Sequence, residues 1–188
     1  MPGILAALTL VLMLAMVLTR VLLLRSAGTR AVHFGGIDKT DFLIPPFAFF
    51  YFYIVCAAAF NFPTVTHQVI FRSELLAWVG VLLCAIGLTL LLQSLVSFGK
   101  SFRIGIDLDH PDKLVTSGIF AYTRNPIYVA FGTILLGQFL VFPNVITLVY
   151  LIAATGLFHR QVLREEQSMT KLYGNEFAAY RQKVPRYL

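Results

Sequence analysis

Long apolar stretches dominate the pattern of hydrophobic and polar positions along the chain. A helix that crosses the hydrocarbon core of a membrane needs about 20 mainly apolar residues. The last stretch, residues 127–158, carries no charge, but Pro143 and Asn144 favour a turn that divides it into two short spans. The predicted spans are 4–24, 42–62, 75–98, 127–142 and 145–160. The pattern therefore predicts an all-α integral membrane protein with about five transmembrane helices, the last two forming a short hairpin.

Composition indicates the same class of protein. Hydrophobic residues make up 58% of the chain and charged residues only 13%, which is far from the balance of a soluble domain. Cys56 and Cys84 lie inside predicted spans, where cysteine behaves as a small hydrophobe, and no metal-binding spacing surrounds them. Gly80, Cys84 and Gly87 follow one another along the third span and favour close helix packing. Without repeats or long linkers, residues 1–188 are expected to form a single membrane domain.

The distribution of lysine and arginine predicts the orientation of the spans. Cytoplasmic loops of membrane proteins carry an excess of these residues. With five spans and the N-terminus outside, only Arg72 of the 15 lysines and arginines falls on the outer side. The first span has no positive residues before it and is followed by Arg20, Arg25 and Arg30, which favours an uncleaved anchor. We therefore expect a cytosolic C-terminus in a bacterial inner membrane, with basic residues contacting anionic lipids and no nucleic-acid partner.

Two polar segments, 99–126 and 161–188, are expected to meet on the cytosolic side. The first contains four residues whose side chains could bind a metal. These residues are Asp107, Asp109, His110 and Asp112. Pro111 interrupts them and no matching set of ligands follows, so the pattern favours a solvated turn over a metal site.

The sequence Arg124-Asn125-Pro126 is typical of a helix start. Proline fits the first helical turn, asparagine is a favoured N-cap residue, and free N–H groups there attract anions. Gly118, a few residues earlier, permits a tight turn or a close backbone approach. We expect Asn125 to cap the fourth span and to bind a ligand in addition.

The last segment carries charges directly where the fifth span leaves the membrane. Arg160 and Arg164 can extend to lipid headgroups, but the adjacent Glu165 and Glu166 are unexpected there unless a cation lies nearby. Apolar residues then recur at helical spacing. They are Met169, Leu172, Tyr173, Phe177 and Tyr180. This spacing predicts a C-terminal amphipathic helix, bent near Gly174.

These motifs, taken in order, resemble those of the isoprenylcysteine carboxyl methyltransferase family, whose outline is shared by phospholipid methyltransferases. The resemblance covers about residues 98–188. It rests on residues 114–120, Arg124 to Tyr128, Glu165-Glu166, residues 173–177 with Tyr180, and Val184-Pro185. Members of this family are integral membrane enzymes that bind S-adenosylmethionine between the last two helices and the connecting loop. The resemblance therefore implies the same cofactor and a lipophilic or small thiol, carboxylate or amine acceptor.

The resemblance also implies roles for individual residues. The cofactor-binding residues would be Asp112, Lys113, Leu114, Val115, Phe120, Asn125, Pro126, Ile127, Tyr128 and Glu165. Gln161 would contact the acceptor, at a position where members specific for prenylcysteine carry arginine. Apart from the resemblance, the two polar segments offer Arg103 or Arg164 as catalytic residues that would orient the acceptor. Phe120 stands where the family usually has tyrosine, and Asn125 stands where it has histidine.

The residue types suit methyl transfer. An in-line displacement from a sulfonium depends mainly on positioning and desolvation, and it needs no nucleophilic serine, cysteine or lysine of the enzyme. Two other functions stay open at this point. One is an NADPH-dependent membrane reductase of the sterol reductase type, and the other is a non-enzymatic membrane protein that binds a small molecule.

Overall fold

The computed structural model describes residues 1–26, 44–60, 62, 69–98 and 114–188. The described residues form five α-helices and a short 3-10 turn, so the all-α class is confirmed. The helices are α1 (Pro2–Ser26), α2 (Ile44–Ala59), α3 (Glu74–Phe98), α4 (Pro126–Val141) and α5 (Val145–Lys183), and the 3-10 turn is Gly118–Ala121. Of these helices, α1, α3 and α5 are long and apolar enough to cross a membrane, whereas α2 and α4 are shorter apolar helices. The chain is thus an integral membrane protein built on a helical bundle.

The predicted hairpin of the last two helices is confirmed, and its turn lies where Pro143 and Asn144 indicate. The Asn144 side chain accepts a hydrogen bond from the Thr147 amide at 2.9 Å. The Thr147 hydroxyl oxygen in turn accepts a hydrogen bond from the Asn144 backbone N–H at 3.3 Å, which completes a capping box. This reciprocal cap starts α5 immediately after α4 has ended.

The last helix is longer than the predicted span. Instead of ending near residue 160, α5 continues to Lys183, because the charged sequence after His159 keeps strong helix formers. Its apolar part is residues 145–158, and the polar part with the charged side chains begins at His159. Gly174 has φ 49° and ψ −117°, which interrupts the helix and confirms the predicted bend. The predicted amphipathic helix is therefore the continuation of α5.

The backbones of α3 and α4 approach each other closely. A Cβ atom added to Gly80 would lie 2.6 Å from the Gly137 carbonyl oxygen, and one added to Gly137 would lie 2.6 Å from that of Gly80. A Cβ at Gly87 would likewise lie 2.5 Å from the Ile134 side chain. The close packing predicted from the small residues of the third span is therefore confirmed.

A buried amide connects α1 to this pair. The Gln138 side chain of α4 is fully buried and donates a hydrogen bond of 2.6 Å to the Ala6 carbonyl oxygen of α1. Around it, side chains of α1, α2, α4 and α5 pack into one apolar core. Its buried members include Leu10, Tyr51, Val55, Ile134 and Tyr150.

The 3-10 turn holds the start of α4 against the end of α3. Gly118 has φ 64°, and a Cβ there would lie 2.4 Å from the Ser97 hydroxyl oxygen, so both the tight turn and the close approach require glycine. The Ser97 hydroxyl oxygen accepts a hydrogen bond from the Ile119 amide at 3.4 Å. The end of α3 and the start of α4 therefore lie at the same end of the bundle.

The α3–α4 contact can be tested with one substitution. We expect Gly137→Ala to lower the free energy of unfolding by about 1–3 kcal/mol, because the new methyl group meets the backbone of α3. The measurement is denaturant unfolding of the detergent-purified protein. Gly132→Ala is the matched control on the same helix, since a Cβ there meets nothing within 4 Å. Equal stability of the two variants would contradict the close contact.

Candidate functional site

The candidate site begins at the first residues of α4. Pro126 takes up the first helical turn, as predicted, and Asn125 occupies the N-cap position. The prediction that the Asn125 side chain caps the helix is wrong, because this side chain makes no capping hydrogen bond. It donates instead to the Arg186 carbonyl oxygen at 3.2 Å and to Glu166 Oε1 at 3.4 Å. Because the Asn125 side chain bonds to these two acceptors, it does not cap the backbone N–H groups of α4.

A group of three polar side chains lies between α4 and the charged part of α5. The Tyr128 hydroxyl donates a hydrogen bond of 2.5 Å to Glu165 Oε1, and the Gln161 amide donates to the same oxygen at 3.2 Å. The Tyr128 ring packs against Phe158, with ring centroids 5.7 Å apart. The structure thus brings together three residues that the sequence assigned to the cofactor and the acceptor.

The Glu165 carboxylate has an unusual electrostatic environment. Burial raises its pKa above the ordinary value, and the hydrogen bonds from Tyr128 and Gln161 only partly offset this effect. Perturbed carboxylates that face a partner across a helix pair are frequent at functional sites. Glu165 is therefore the leading candidate to accept hydrogen bonds from a ligand.

The neighbouring Glu166 is at the centre of a second group. Its side chain is only 8% exposed and accepts three hydrogen bonds from the Arg186 guanidinium, at 2.8, 3.1 and 3.2 Å. The Arg124 guanidinium, 9% exposed, lies 3.4 Å from Glu166 Oε1. Burial alone would raise the pKa of Glu166, but these two guanidinium groups and Asn125 hold it below its ordinary value. The hydrogen bond to Glu166 in turn raises the pKa of Arg186.

Residues 184–188, here called the C-terminal strap, complete this group. The Arg124 amide donates to the Pro185 carbonyl oxygen at 3.0 Å, and the Thr123 hydroxyl donates to that of Arg186 at 3.1 Å. At the end of α5, the Tyr180 hydroxyl donates to the Phe120 carbonyl oxygen at 2.6 Å. The strap, the end of α5 and the segment before α4 therefore hold one another in position.

Other predicted site residues pack into the bundle. Phe120 is buried and packs edge-on against Phe98 of α3, with ring centroids 4.5 Å apart. Ile127 packs against the core between α3 and α4. Leu114 contacts the apolar cluster at the end of α5, and Val115 beside it is half-buried.

The predicted catalytic residues are placed differently. Arg164 lies half-buried on α5, directly before Glu165. Arg103, Asp112 and Lys113 lie outside the described residues, as do the other members of the acidic cluster considered for a metal. Among the described residues, no group of three or more His, Cys, Asp or Glu side chains could hold a metal ion.

Sequence reasoning did not assign the Glu166 group. The Glu165-Glu166 pair predicted a nearby cation, and the structure confirms this for Glu166 through Arg124 and Arg186. However, Arg186 lies 20 residues from Glu166, beyond the bend at Gly174, and no helical spacing relates the two. Only the folded chain identifies this pair.

The Glu166 group can be tested through stability. We expect Glu166→Gln to lower the free energy of unfolding by about 1–3 kcal/mol near neutral pH, because the charged hydrogen bonds to Arg186 and the ion pair with Arg124 are lost. Since folding lowers the pKa of Glu166, its contribution is complete above the ordinary glutamate value of 4.5 and is lost as pH falls through the folded value. The difference between wild type and variant should therefore shrink on acidification. Denaturant unfolding over a pH series measures this difference in unfolding free energy, with Glu176→Gln, at an exposed position, as control. A difference between wild type and Glu166→Gln that does not change with pH would contradict the pairing.

Comparisons with known proteins point to one group. The chain is 30% identical over 128 residues to the protein-S-isoprenylcysteine O-methyltransferase of Schizosaccharomyces pombe, which covers 66% of the chain and 53% of the relative. It is 28% identical to the Homo sapiens protein of the same name, covering 69% of the chain and 48% of that relative. The chain thus spans about half the length of these curated relatives.

A solved structure has the same fold. It is that of a eukaryotic intramembrane Ras methyltransferase, isoprenylcysteine carboxyl methyltransferase, with a TM-score of 0.59 and 19% identity. The similarity covers 80% of the chain and 55% of that structure. In addition, the family model for phospholipid methyltransferase matches residues 75–176, a region that contains α3, α4 and both glutamates of the site. Because this match covers more than half of the chain, the chain belongs to the phospholipid methyltransferase family, and it is similar to the isoprenylcysteine methyltransferases named above.

Proposed function

We propose that this protein is an S-adenosylmethionine-dependent methyltransferase that acts at the membrane on a lipophilic acceptor. The observation that carries the proposal is the group formed by Glu165, Tyr128 and Gln161 between the last two helices. This group lies inside the region matched by the family model. The comparisons support neither a nicotinamide-dependent reductase nor a non-enzymatic binder.

The described residues fit the chemistry of the cofactor. S-adenosylmethionine presents hydroxyl and amino donors, an aromatic base and a positively charged sulfur that supplies an electrophilic methyl group. Glu165 provides a half-buried acceptor for such donors, and the Tyr128 and Phe158 rings provide an aromatic surface beside it. A cationic ligand beside this partly desolvated carboxyl group would stabilise the ionised form that burial disfavours. We therefore infer that Glu165 and Tyr128 are the residues of α4 and α5 that hold the cofactor.

The protein's own contribution to the reaction is positioning and exclusion of water. Tyr128 orients the Glu165 carboxylate by donating a hydrogen bond from its hydroxyl to Oε1, and the Gln161 amide donates a hydrogen bond to the same oxygen. A carboxylate that is already oriented loses less conformational entropy when a ligand binds than a freely rotating one does. Val149, Ile152 and Leu157 on the apolar part of α5 are exposed, which would allow a lipophilic acceptor to reach the site from the bilayer.

The acceptor class follows from the relatives and from the charges near Gln161. The relatives described above are named for O-methylation of isoprenylcysteine, so we propose the carboxylate of an S-prenylcysteine as the acceptor. Arg164, one helical turn after Gln161, would supply the cation that orients this carboxylate. An ionised carboxylate is itself a nucleophile, so the step needs no general base at Asn125.

The orientation in the membrane is part of this proposal. Counting lysine and arginine puts the candidate site on the cytosolic side, where a soluble cofactor can enter. The expected bacterial inner membrane stays a prediction, and both relatives named above are eukaryotic.

Cofactor binding tests the proposal directly. We expect S-adenosylmethionine to bind the detergent-purified protein in calorimetric titrations. Glu165→Gln should weaken binding by at least about tenfold, because a charged acceptor contributes about 1.5–3 kcal/mol. Glu176→Gln, an exposed change on the same helix, should leave the dissociation constant unchanged. Absence of binding to the wild type, or equal binding by Glu165→Gln, would refute the cofactor site.

The acceptor can be identified with methyl-labelled S-adenosylmethionine. We expect label to enter an S-prenylcysteine that has a free carboxylate, and not its preformed methyl ester. The labelled product should release methanol in alkali, as an ester does and a methylated amine does not. Label recovered in vesicles of phosphatidylethanolamine, stable to alkali, would instead identify a lipid amine as the acceptor and overturn the carboxylate assignment.

A further inference from the structure

The C-terminal strap contacts the exact segment from which α4 starts. The Arg186 carbonyl oxygen accepts hydrogen bonds from the Thr123 hydroxyl and the Asn125 amide, at 3.1 and 3.2 Å. The Pro185 carbonyl oxygen accepts one from the Arg124 backbone amide at 3.0 Å. Three consecutive residues before α4 are thus held by two consecutive residues of the strap.

The side chain of Arg186 connects the same strap to α5. All three of its hydrogen bonds go to the Glu166 carboxylate, and the shortest is 2.8 Å. The other partners of this carboxylate, Arg124 and Asn125, lie farther away, at 3.4 Å each. Arg186 is therefore the principal partner of Glu166, although it lies beyond the region matched by the family model.

Two polar connections consequently join α4 to α5 side by side. Asn125 contacts Glu166, and Tyr128, three residues later on the same face of α4, contacts Glu165. The two glutamates are adjacent on α5, so a rotation of α5 or a shift of the start of α4 must change both connections together. Arg186 contacts both residues of the Asn125–Glu166 connection. Its carbonyl oxygen accepts a hydrogen bond from Asn125, and its guanidinium donates to Glu166.

We propose that Arg186 is a positioning residue that holds the Glu165–Tyr128 pair in its ligand-binding arrangement. It acts through Glu166 and the start of α4, and it does not itself contact the Glu165 group. This inference rests on the proposed function, since it assigns to Arg186 an effect on cofactor affinity. The Arg186 side chain is 33% exposed, so its replacement leaves no cavity in the apolar core.

The expected effect is on affinity more than on the chemical step. When only a fraction of molecules has the binding-competent arrangement, the apparent dissociation constant rises by the inverse of that fraction. If loss of Arg186 leaves about one molecule in ten in this arrangement, the dissociation constant and KM for the cofactor rise about tenfold. The kcat at saturating cofactor should then stay within about twofold of the wild-type value.

Calorimetric titration of S-adenosylmethionine into wild type, Arg186→Gln and Arg186→Lys tests this inference. We expect about a tenfold weaker binding for Arg186→Gln and partial recovery for Arg186→Lys, which keeps a charge but not the forked geometry. Lys171→Gln is the charge-matched control, because Lys171 is exposed on α5. Amide hydrogen exchange of the ligand-free proteins gives a second measurement, with faster exchange at Arg124 expected in Arg186→Gln.

The outcomes separate this inference from the proposed function. Wild-type protein that binds no cofactor would overturn both. Wild-type binding with an unchanged dissociation constant in Arg186→Gln would overturn the positioning role alone, whatever the exchange at Arg124. If Arg186→Gln does not fold, Arg186→Lys decides, and binding equal to that of the wild type together with wild-type exchange at Arg124 would overturn the role. A lower kcat at unchanged KM would also overturn it.

Discussion

The pairing of the buried Glu166 carboxylate is the interaction on which the rest of the candidate site depends. A carboxylate taken out of water is stable only when cations and hydrogen-bond donors compensate it. Glu166 meets this requirement with Arg186 and Arg124, which come from the strap and from the start of α4. The need to compensate one charge therefore brings three distant parts of the chain together.

This arrangement gives the two adjacent glutamates different roles. Glu166 is surrounded by cationic groups, so its pKa is lowered and its contacts hold the fold together. Among the described residues, the hydrogen-bond partners of Glu165 are the neutral side chains of Tyr128 and Gln161, and burial raises the pKa of Glu165. A divergence in pKa between neighbouring carboxylates is frequent at functional sites, which supports the proposal that Glu165 is the one that binds a ligand.

The apolar bundle provides the rigid support for these contacts. The backbones of α3 and α4 meet at Gly80 and Gly137, so α4 cannot move far without losing this close contact. At the other end of the same helix, the 3-10 turn packs on α3 through Gly118 and Phe120. The first turn of α4, which carries Tyr128, is thus held from both the membrane side and the strap side.

The sequence by itself determined the helical class, the hairpin at Pro143-Asn144, the close packing of the third span and the bend at Gly174. These features depend on hydrophobic length, turn chemistry and small residues, all of which are local in the chain. Resemblance of motifs further indicated Tyr128, Gln161 and Glu165, and the structure brings them within hydrogen-bonding distance. Only the tertiary structure decided that α5 continues past residue 160 to Lys183, that the Asn125 side chain does not cap α4, and that Arg186 is the principal partner of Glu166. These outcomes depend on which distant polar groups compete for the same atoms once the chain is folded, and no local spacing records that competition.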